Sequence, residues 1–444
     1  MHGDFSRVTF RPQKRYSAVV AQQGRVQLDA EANEQAAILA YLGRTLAADL
    51  IGPHGGPAAT AGFAIGYSTP DGQPADLSIT EGRYYVDGIL VDSTHPPTLQ
   101  PVGGQATQPP EGWTYWTQPD GFLDKSTKDD QLPGVPFVAY LRVWERFVTA
   151  VEDPAIRETA LGSALPDTAG RLQVVWQVRA LTGLQVPGEP TPTDVRDAFD
   201  TWAAGQAATQ SRLAVRVEQP DGTENDPCII HPDARFRGPE NQLYRIEVHT
   251  DGPAKTATFV WSRDNGSVVF GVHAVEGQWV TLSALGRDDK LDLHVGDWVE
   301  PVDDASVARG AAHDLLKVLD VDVPGRRVRL SEPPTVNVGA HPFLRRWDSD
   351  SAGTVIEEGT WIGLEDGVQV WFAGGGTYRR GEYWTVPART VDGDVEWPRA
   401  DDGTPLLVPP AGPVYHYAPL AWVTGTGDNQ VTDLRQLFNA LSPV

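Results

Sequence analysis

The chain has 444 residues and a formal charge of −23, from 36 basic and 59 acidic side chains. This length exceeds that of one ordinary hydrophobic core, so two or three domains are expected. The acidic balance repels phosphate groups and argues against binding to nucleic acids or to anionic membranes. A single cysteine, Cys228, excludes a framework of internal disulfides and any metal site with several cysteine ligands.

The first twenty residues contain five charged side chains and lack the apolar stretch of a signal peptide. No apolar run elsewhere has the length that spans a bilayer. We therefore expect a protein that is made in the cytoplasm and does not insert directly into a membrane.

A strong helix signal lies near the start, ahead of sequence that is almost entirely of β type. The pattern predicts a helix over residues 26–51 with Asp29 as its N-cap, and the Gly- and Pro-rich residues 52–57 end it. One face is a stripe of apolar side chains at spacings of three and four: Ile38, Leu39, Leu42, Leu46 and Leu50. We expect a neighbouring subunit to cover this stripe, so residues 1–57 are predicted to be an assembly arm and helix.

After the helix, short strands alternate with turn residues. Residues 58–187 are predicted to form a first β domain, with a long polar surface loop over 103–134. A helical insertion is predicted over 188–217, and one or more further β domains over 218–444, including a small barrel near 290–335. The expected fold class is mainly β, of β-sandwich and small-barrel modules, with an N-terminal amphipathic helix and a second short helical insertion.

The segment PENQLYRIEVH, residues 239–249, brings charge into one of these strands. Arg245 and Glu247 share one face of the strand because side chains alternate. If Glu240 and Arg245 are buried, they must be paired and hydrogen-bonded, since a lone buried charge is too costly. A structural network that sets the strand register is the predicted role.

Motifs for catalysis are weak. The nucleophile elbow, the zinc-protease helix, the phosphate loop and the dinucleotide fingerprint are all missing from the sequence. Cys228 with His231 could form a thiolate and its base, although lone cysteines are commonly inert. Acidic pairs such as Asp303–Asp304 could serve sugar hydrolysis or a calcium loop, but the spacing of known calcium loops is not present. We predict no enzymatic activity, no cofactor and no metal.

Segments spread from Gly3 to about Val423 carry a family resemblance: GDFSRVTFRPQKRYSAVVAQQGRVQLDAEANEQAAILAYL, YLRVWERFVTAVEDPAIRETALG, DTAGRLQVVWQV, CIIHPDARFRGPENQLYRIEVH, FVWSRDNGSVVF, GVQVWFAGGGTYRRGEYWTVPART and YHYAPLAWV. In this order they are similar to a bacterial family of uncharacterised proteins encoded beside phage-tail-like contractile injection systems. The first segment also resembles the start of some phage tail-fibre and baseplate proteins.

The resemblance implies a structural part of such a particle, in its baseplate, cage or cap, and no catalytic residues. Expected partners are other subunits of the particle and further copies of the chain. Assembly is expected in the cytoplasm, in a particle that is released by lysis or acts inside the cell. The alternative is a carbohydrate-binding or carbohydrate-cleaving module on the particle, in which Trp113, Tyr115 and Trp116 of the polar loop stack on sugar rings or contact a partner.

Overall fold

The computed structural model describes residues 1–97, 111–162, 166–218, 235–311, 313–336 and 341–439. Within these ranges the fold is mainly β with three α-helices, which confirms the predicted fold class. The helices are α1 (Asp29–Ile51), α2 (Pro192–Ala207) and α3 (Asp304–Arg309). The strands of the first half are β1 (His54–Pro57), β2 (Ile65–Ser68), β3 (Asp76–Ile79), β4 (Arg83–Val86), β5 (Ile89–Asp92), β6 (Trp113–Thr114), β7 (Phe137–Val148), β8 (Arg171–Leu181) and β9 (Leu213–Val217).

The strands of the second half, which follow the undescribed residues 219–234, are shorter and more numerous. They are β10 (Gln242–Thr250), β11 (Gly252–Pro253), β12 (Thr258–Ser262), β13 (Val269–Glu276), β14 (Trp279–Leu282), β15 (Trp298–Val302), β16 (Leu316–Asp322), β17 (Arg327–Leu330), β18 (Phe343–Trp347), β19 (Thr354–Val355), β20 (Trp361–Gly363), β21 (Val368–Phe372), β22 (Thr377–Tyr378), β23 (Tyr383–Arg389), β24 (Asp394–Val395), β25 (His416–Val423), β26 (Val431–Asp433) and β27 (Leu437–Phe438). Short strands of this kind gain their stability from packing into sheets, so the sheets define the modules.

The first β module has three sheets around one hydrophobic core. Their strand orders are β27-β1-β4-β5, β2-β3-β6 and β26-β25-β7-β8. Alternate residues of β7 enter the core, as the two-residue period of a strand requires: Phe137, Ala139, Leu141 and Val143. The opposite face of β7 is covered by α2, whose Val195 and Phe199 pack with Val138 and Tyr140.

The last strands of the chain complete this first module. β25 pairs antiparallel with β7, with Val423 opposite Phe137. β27 pairs parallel with β1, with Leu437 opposite Gly56. The predicted division into residues 58–187 and 218–444 is therefore wrong for the C-terminal strands. It is also wrong for β1, which belongs to the module and not to the N-terminal arm.

The second β module joins the sheets β19-β12-β10-β23-β24, β20-β21-β9 and β11-β22. Its core includes Tyr244, Trp261, Phe372 and Trp384. Because β9 pairs with β21, the end of the predicted 188–217 insertion is a strand of this module. Between β12 and β19 the chain forms a closed barrel in the order β13-β14-β17-β16-β15-β18. The barrel strands enclose the region predicted near 290–335 and extend beyond it on both sides.

His54 of β1 is a buried titratable group in the first module. It is 2 % exposed, and its Nδ1 lies 3.2 Å from the hydroxyl oxygen of Tyr84. Burial lowers the pKa of His54 to about 4; Asp87 raises it less than burial lowers it. Between pH 6.5 and pH 4 the unfolded chain therefore binds a proton at this position that the folded chain does not bind, and acid favours unfolding.

We expect His54 to remove about 3 kcal/mol from the free energy of unfolding as the pH falls from 6.5 to 4, since one pKa unit corresponds to about 1.4 kcal/mol. Above pH 6.5 both states are neutral here and the contribution vanishes. Urea unfolding followed by tryptophan fluorescence at several pH values measures the slope. The His54→Gln variant should lose this part of the slope, and an unchanged slope would contradict the assignment.

Candidate assembly surface

A buried ion pair in β10 lies where the N-terminal arm, residues 1–28, meets the second module. Arg245 is 2 % exposed, and its Nε donates to Glu247 Oε2 at 2.5 Å. Its guanidinium carbon lies 3.6 Å from the ring centroid of Tyr383. Burial by itself would raise the pKa of Glu247, but Arg245, His2 and Arg345 together outweigh burial and hold that pKa well below its usual range. The condition for a pairing of Arg245 with Glu240 is not met, because Glu240 lies near the surface and pairs with Lys290.

The same cluster binds the first residues of the arm. Arg245 Nη1 donates to the carbonyl oxygen of Met1 at 3.1 Å, and Asn265 Nδ2 donates to that of Gly3 at 2.8 Å. His2 Nε2 lies 2.9 Å from the carboxylate of the ion pair. Burial and the neighbouring guanidinium groups lower the pKa of His2 well below its usual value, so the ring is neutral at neutral pH. Residues 1–3 of the arm are therefore anchored to the second module.

The arm is next tied to the start of α1. The backbone N–H and the hydroxyl of Ser6 donate to the two carboxylate oxygens of Asp29 at 2.9 and 2.6 Å. Asp29 is the first residue of the helix and Leu28 occupies the cap position, so the predicted N-cap is wrong by one residue. Farther along, Thr9 Oγ1 donates to the Glu34 carboxylate at 2.5 Å. The arm thus folds back along the helix.

One face of α1 packs against the rest of the chain. Ile38 is 1 % exposed, and Arg44 Nη2 donates to Glu145 of β7 at 2.6 Å. The turn between β4 and β5 approaches the helix so closely that a Cβ on Gly88 would lie 2.1 Å from the carbonyl oxygen of Arg44. With a φ of 76° as well, this position requires glycine. Ile38 belongs to this packed face, so the prediction that a neighbouring subunit covers Ile38 is wrong.

The opposite face of α1 is bare. Leu39, Leu42, Leu46 and Leu50 are 61, 48, 61 and 68 % exposed. Among the described residues, 11 of the 25 exposed large hydrophobic side chains lie in the first fifty positions, so the arm and α1 concentrate the exposed apolar surface. A concentration of this kind is typical of an interaction surface. We call this the outer face of α1.

The three aromatic residues predicted as a ligand contact pack on the core of the first module. Trp113 lies in β6, and its Nε1 donates to the carbonyl oxygen of Ser93 at 2.6 Å. Trp116 Nε1 donates to that of Ala75 at 3.1 Å, and Tyr115 is buried. These contacts explain the rings as core packing. The described part of the predicted 103–134 loop is therefore folded onto the module.

The residues considered for catalysis or metal binding do not form a site within the described structure. Cys228 and His231 lie outside the described residues. Across the described ranges, no group of three or more His, Cys, Asp or Glu side chains is placed to hold a metal ion. Asp303 caps α3, and the carboxylate of Asp322 accepts from Arg327 Nε at 2.7 Å in a turn. None of the helices described has the length and apolar character of a membrane span.

The outer face of α1 is thus an apolar surface that the described part of the chain does not cover. The chain belongs to the family of unknown function DUF6519, which it matches over residues 1–217 and 191–435. These matches reach from the arm to β26 of the first module. No curated protein and no solved structure matches the chain.

Proposed function

We propose that this protein is a structural, non-enzymatic subunit of a contractile, phage-tail-like particle, and that the arm and α1 join it to a neighbouring subunit. The observation that carries the assembly role is the outer face of α1, with Leu39, Leu46 and Leu50 each more than 60 % exposed. The particle itself is inferred from the resemblance of the sequence segments. Such particles are symmetric, so several copies of the chain are expected in each.

The way in which α1 is held supports docking through its outer face. Ser6 fixes the start of the helix through Asp29, and the Arg44–Glu145 ion pair fixes its second half. A helix that is already ordered loses little conformational entropy when a partner binds. Laying an apolar helix face against another surface is a common recognition mode. The fixed helix is therefore suited to serve as an assembly element.

The distribution of charge supports a protein partner that is acidic. Residues 1–28 contain five basic and one acidic side chain, whereas the rest of the chain contains 31 basic and 58 acidic ones. Arg11, Lys14, Arg15 and Arg25 of the arm are all exposed. Complementary charges speed association and select partners. An acidic body such as that of another copy matches this arm.

The test is incorporation of a full-length variant, Leu39→Glu with Leu46→Glu and Leu50→Glu, into particles in cells that produce them. Glutamate is a good helix former, and exposed substitutions usually change stability by less than about 0.5 kcal/mol each. We expect a folded protein whose occupancy in purified particles, measured by quantitative mass spectrometry, falls at least tenfold. The matched control replaces three exposed leucines elsewhere, Leu161, Leu172 and Leu407, by glutamate and should retain full occupancy. Full occupancy of the α1 variant would refute the assembly role.

A further inference from the structure

The outer face of α1 follows a heptad repeat. Six residues recur at alternating spacings of four and three: Ala32, Ala36, Leu39, Gly43, Leu46 and Leu50. All six are exposed, and a Cβ built on Gly43 would meet no atom within 4 Å. A mean spacing of 3.5 residues keeps such positions on one seam, which is the pattern by which two helices pack side by side. The seam is therefore preformed and uncovered.

Small residues (Ala32, Ala36, Gly43) and leucines are arranged along the seam so that it is complementary to itself in the antiparallel orientation. Consider two antiparallel copies with position 41 of one helix level with position 41 of the other. The seam residues then form three pairs, each of which occurs twice by symmetry: Ala32 with Leu50, Ala36 with Leu46, and Leu39 with Gly43. Each layer joins one leucine to one small residue, so all layers have similar volume. Even filling of this kind gives close packing without voids.

A parallel pair of the same helices would pack poorly. Each residue would then face its own copy, so Leu39 and Leu46 would meet as pairs of leucines while Gly43 would face Gly43. The leucine pairs would be overpacked and the glycine pair would leave a cavity, and each of these is destabilising. The sequence of the seam therefore selects the antiparallel arrangement.

We infer that the outer face of α1 pairs antiparallel with the same face of a second copy of this chain, around a two-fold axis near position 41. This inference deepens the assembly role proposed above by naming the partner. The positions that flank the seam fit the arrangement: Leu42 of one copy meets Leu42 of the other, and Asp49 faces the uncharged Gln35. Opposed helix dipoles add to the complementarity.

The arm extends the surface beside the seam. The N–H of Val19 donates to Gln35 Oε1 at 2.7 Å, which places the arm along one flank, and the next residue, Val20, is 80 % exposed. Two helices of about 34 Å with these flanks form a contact near the lower end of specific interfaces, about 1,200 Å² in total. We expect a dimer that dissociates on dilution.

Sedimentation velocity of the purified full chain over a range of concentrations tests the pairing. The Gly43→Leu variant adds apolar surface and helix propensity, so unspecific adhesion would increase, yet a paired seam must lose its Leu39–Gly43 layers. We expect the dissociation constant to rise at least tenfold. The double variant Leu39→Ala with Gly43→Leu restores a small residue against a leucine in the same layers and should return it to within about threefold of the original.

Crosslinking tests the orientation in a Cys228→Ser background. The Leu42→Cys variant places a thiol beside the two-fold axis and should crosslink the two copies with a short bis-maleimide. The Leu50→Cys variant places its thiol about 27 Å from its counterpart in the antiparallel pair and should not crosslink.

Crosslinking at position 50, tighter association of Gly43→Leu, or a monomer at every concentration would each overturn the inference. The assembly role stands apart from these results, because it fails only if the glutamate variant of α1 enters particles at full occupancy. A monomeric protein that still needs the outer face for incorporation would assign that face to a different subunit.

Discussion

Replacing Arg245 with leucine is expected to lower the free energy of unfolding by about 3–5 kcal/mol, because it leaves the buried Glu247 carboxylate without its main counter-charge. The guanidinium also stacks on Tyr383 and binds the carbonyl oxygen of Met1, so the variant loses the contacts that hold the arm. Urea unfolding of the second module, followed by tryptophan fluorescence, measures the loss. Trypsin cleavage after the arm residues Arg7 and Arg15 should become faster.

The double variant Arg245→Leu with Glu247→Leu distinguishes the effect of an unpaired charge from the effect of losing the packing of the Arg245 side chain. Removing both charges abolishes the desolvation cost as well as the attraction, so the double variant is expected to be clearly more stable than Arg245→Leu alone. Arm cleavage should stay fast in both variants, because both lack the Arg245 guanidinium that donates to the Met1 carbonyl oxygen. A single variant that is as stable as the double variant would show that Glu247 is not the group left unpaired.

The sequence predicts this cluster only in part. Strand alternation places Arg245 and Glu247 on one face, and the cost of a lone buried charge requires a partner. Which carboxylate is the partner depends on how the strand meets Met1 and Tyr383, which lie 244 positions before and 138 positions after Arg245. No local pattern contains that information, so the sequence leaves both Glu240 and Glu247 open as the partner.

Helix α1 shows the same limit. Its existence and its end at residue 51 follow from periodicity and from the Gly- and Pro-rich sequence that follows it. Its start is misplaced because the Asp29 carboxylate binds Ser6 in place of the helix N–H groups. Periodicity also lists the apolar positions without saying which face is covered, since α1 is apolar on two faces.

The sheets are the least predictable part of the fold. Short strands with turn residues indicate β modules, but a strand such as β25 contains no local signal for pairing with β7, more than 260 residues earlier. The loop aromatics illustrate the consequence, because Trp113 and Trp116 stand in polar sequence and their covering is supplied by β3 and its neighbours. Polar surroundings along the chain therefore do not establish exposure in space.

The two faces of α1 are separated most sharply by neighbouring residues, Ile38 and Leu39. Truncating Ile38 to alanine is expected to lower the stability of helix docking by about 2–4 kcal/mol, since it empties a site that is 1 % exposed. Truncating Leu39 should change that stability by less than about 0.5 kcal/mol, because 61 % of the side chain is already exposed. Hydrogen exchange of the α1 amides in the full chain measures both.

Self-association should depend on these two side chains in the reverse order, more on Leu39 than on Ile38. With Leu39→Ala, α1 keeps its protection from exchange while the dimer weakens, because the residue faces only a second copy. With Ile38→Ala, exchange along α1 accelerates, and the dimer weakens only as far as the helix leaves its place on the body. Equal loss of protection in the two variants would mean that both side chains pack within one polypeptide, and the outer face would then have no part in assembly.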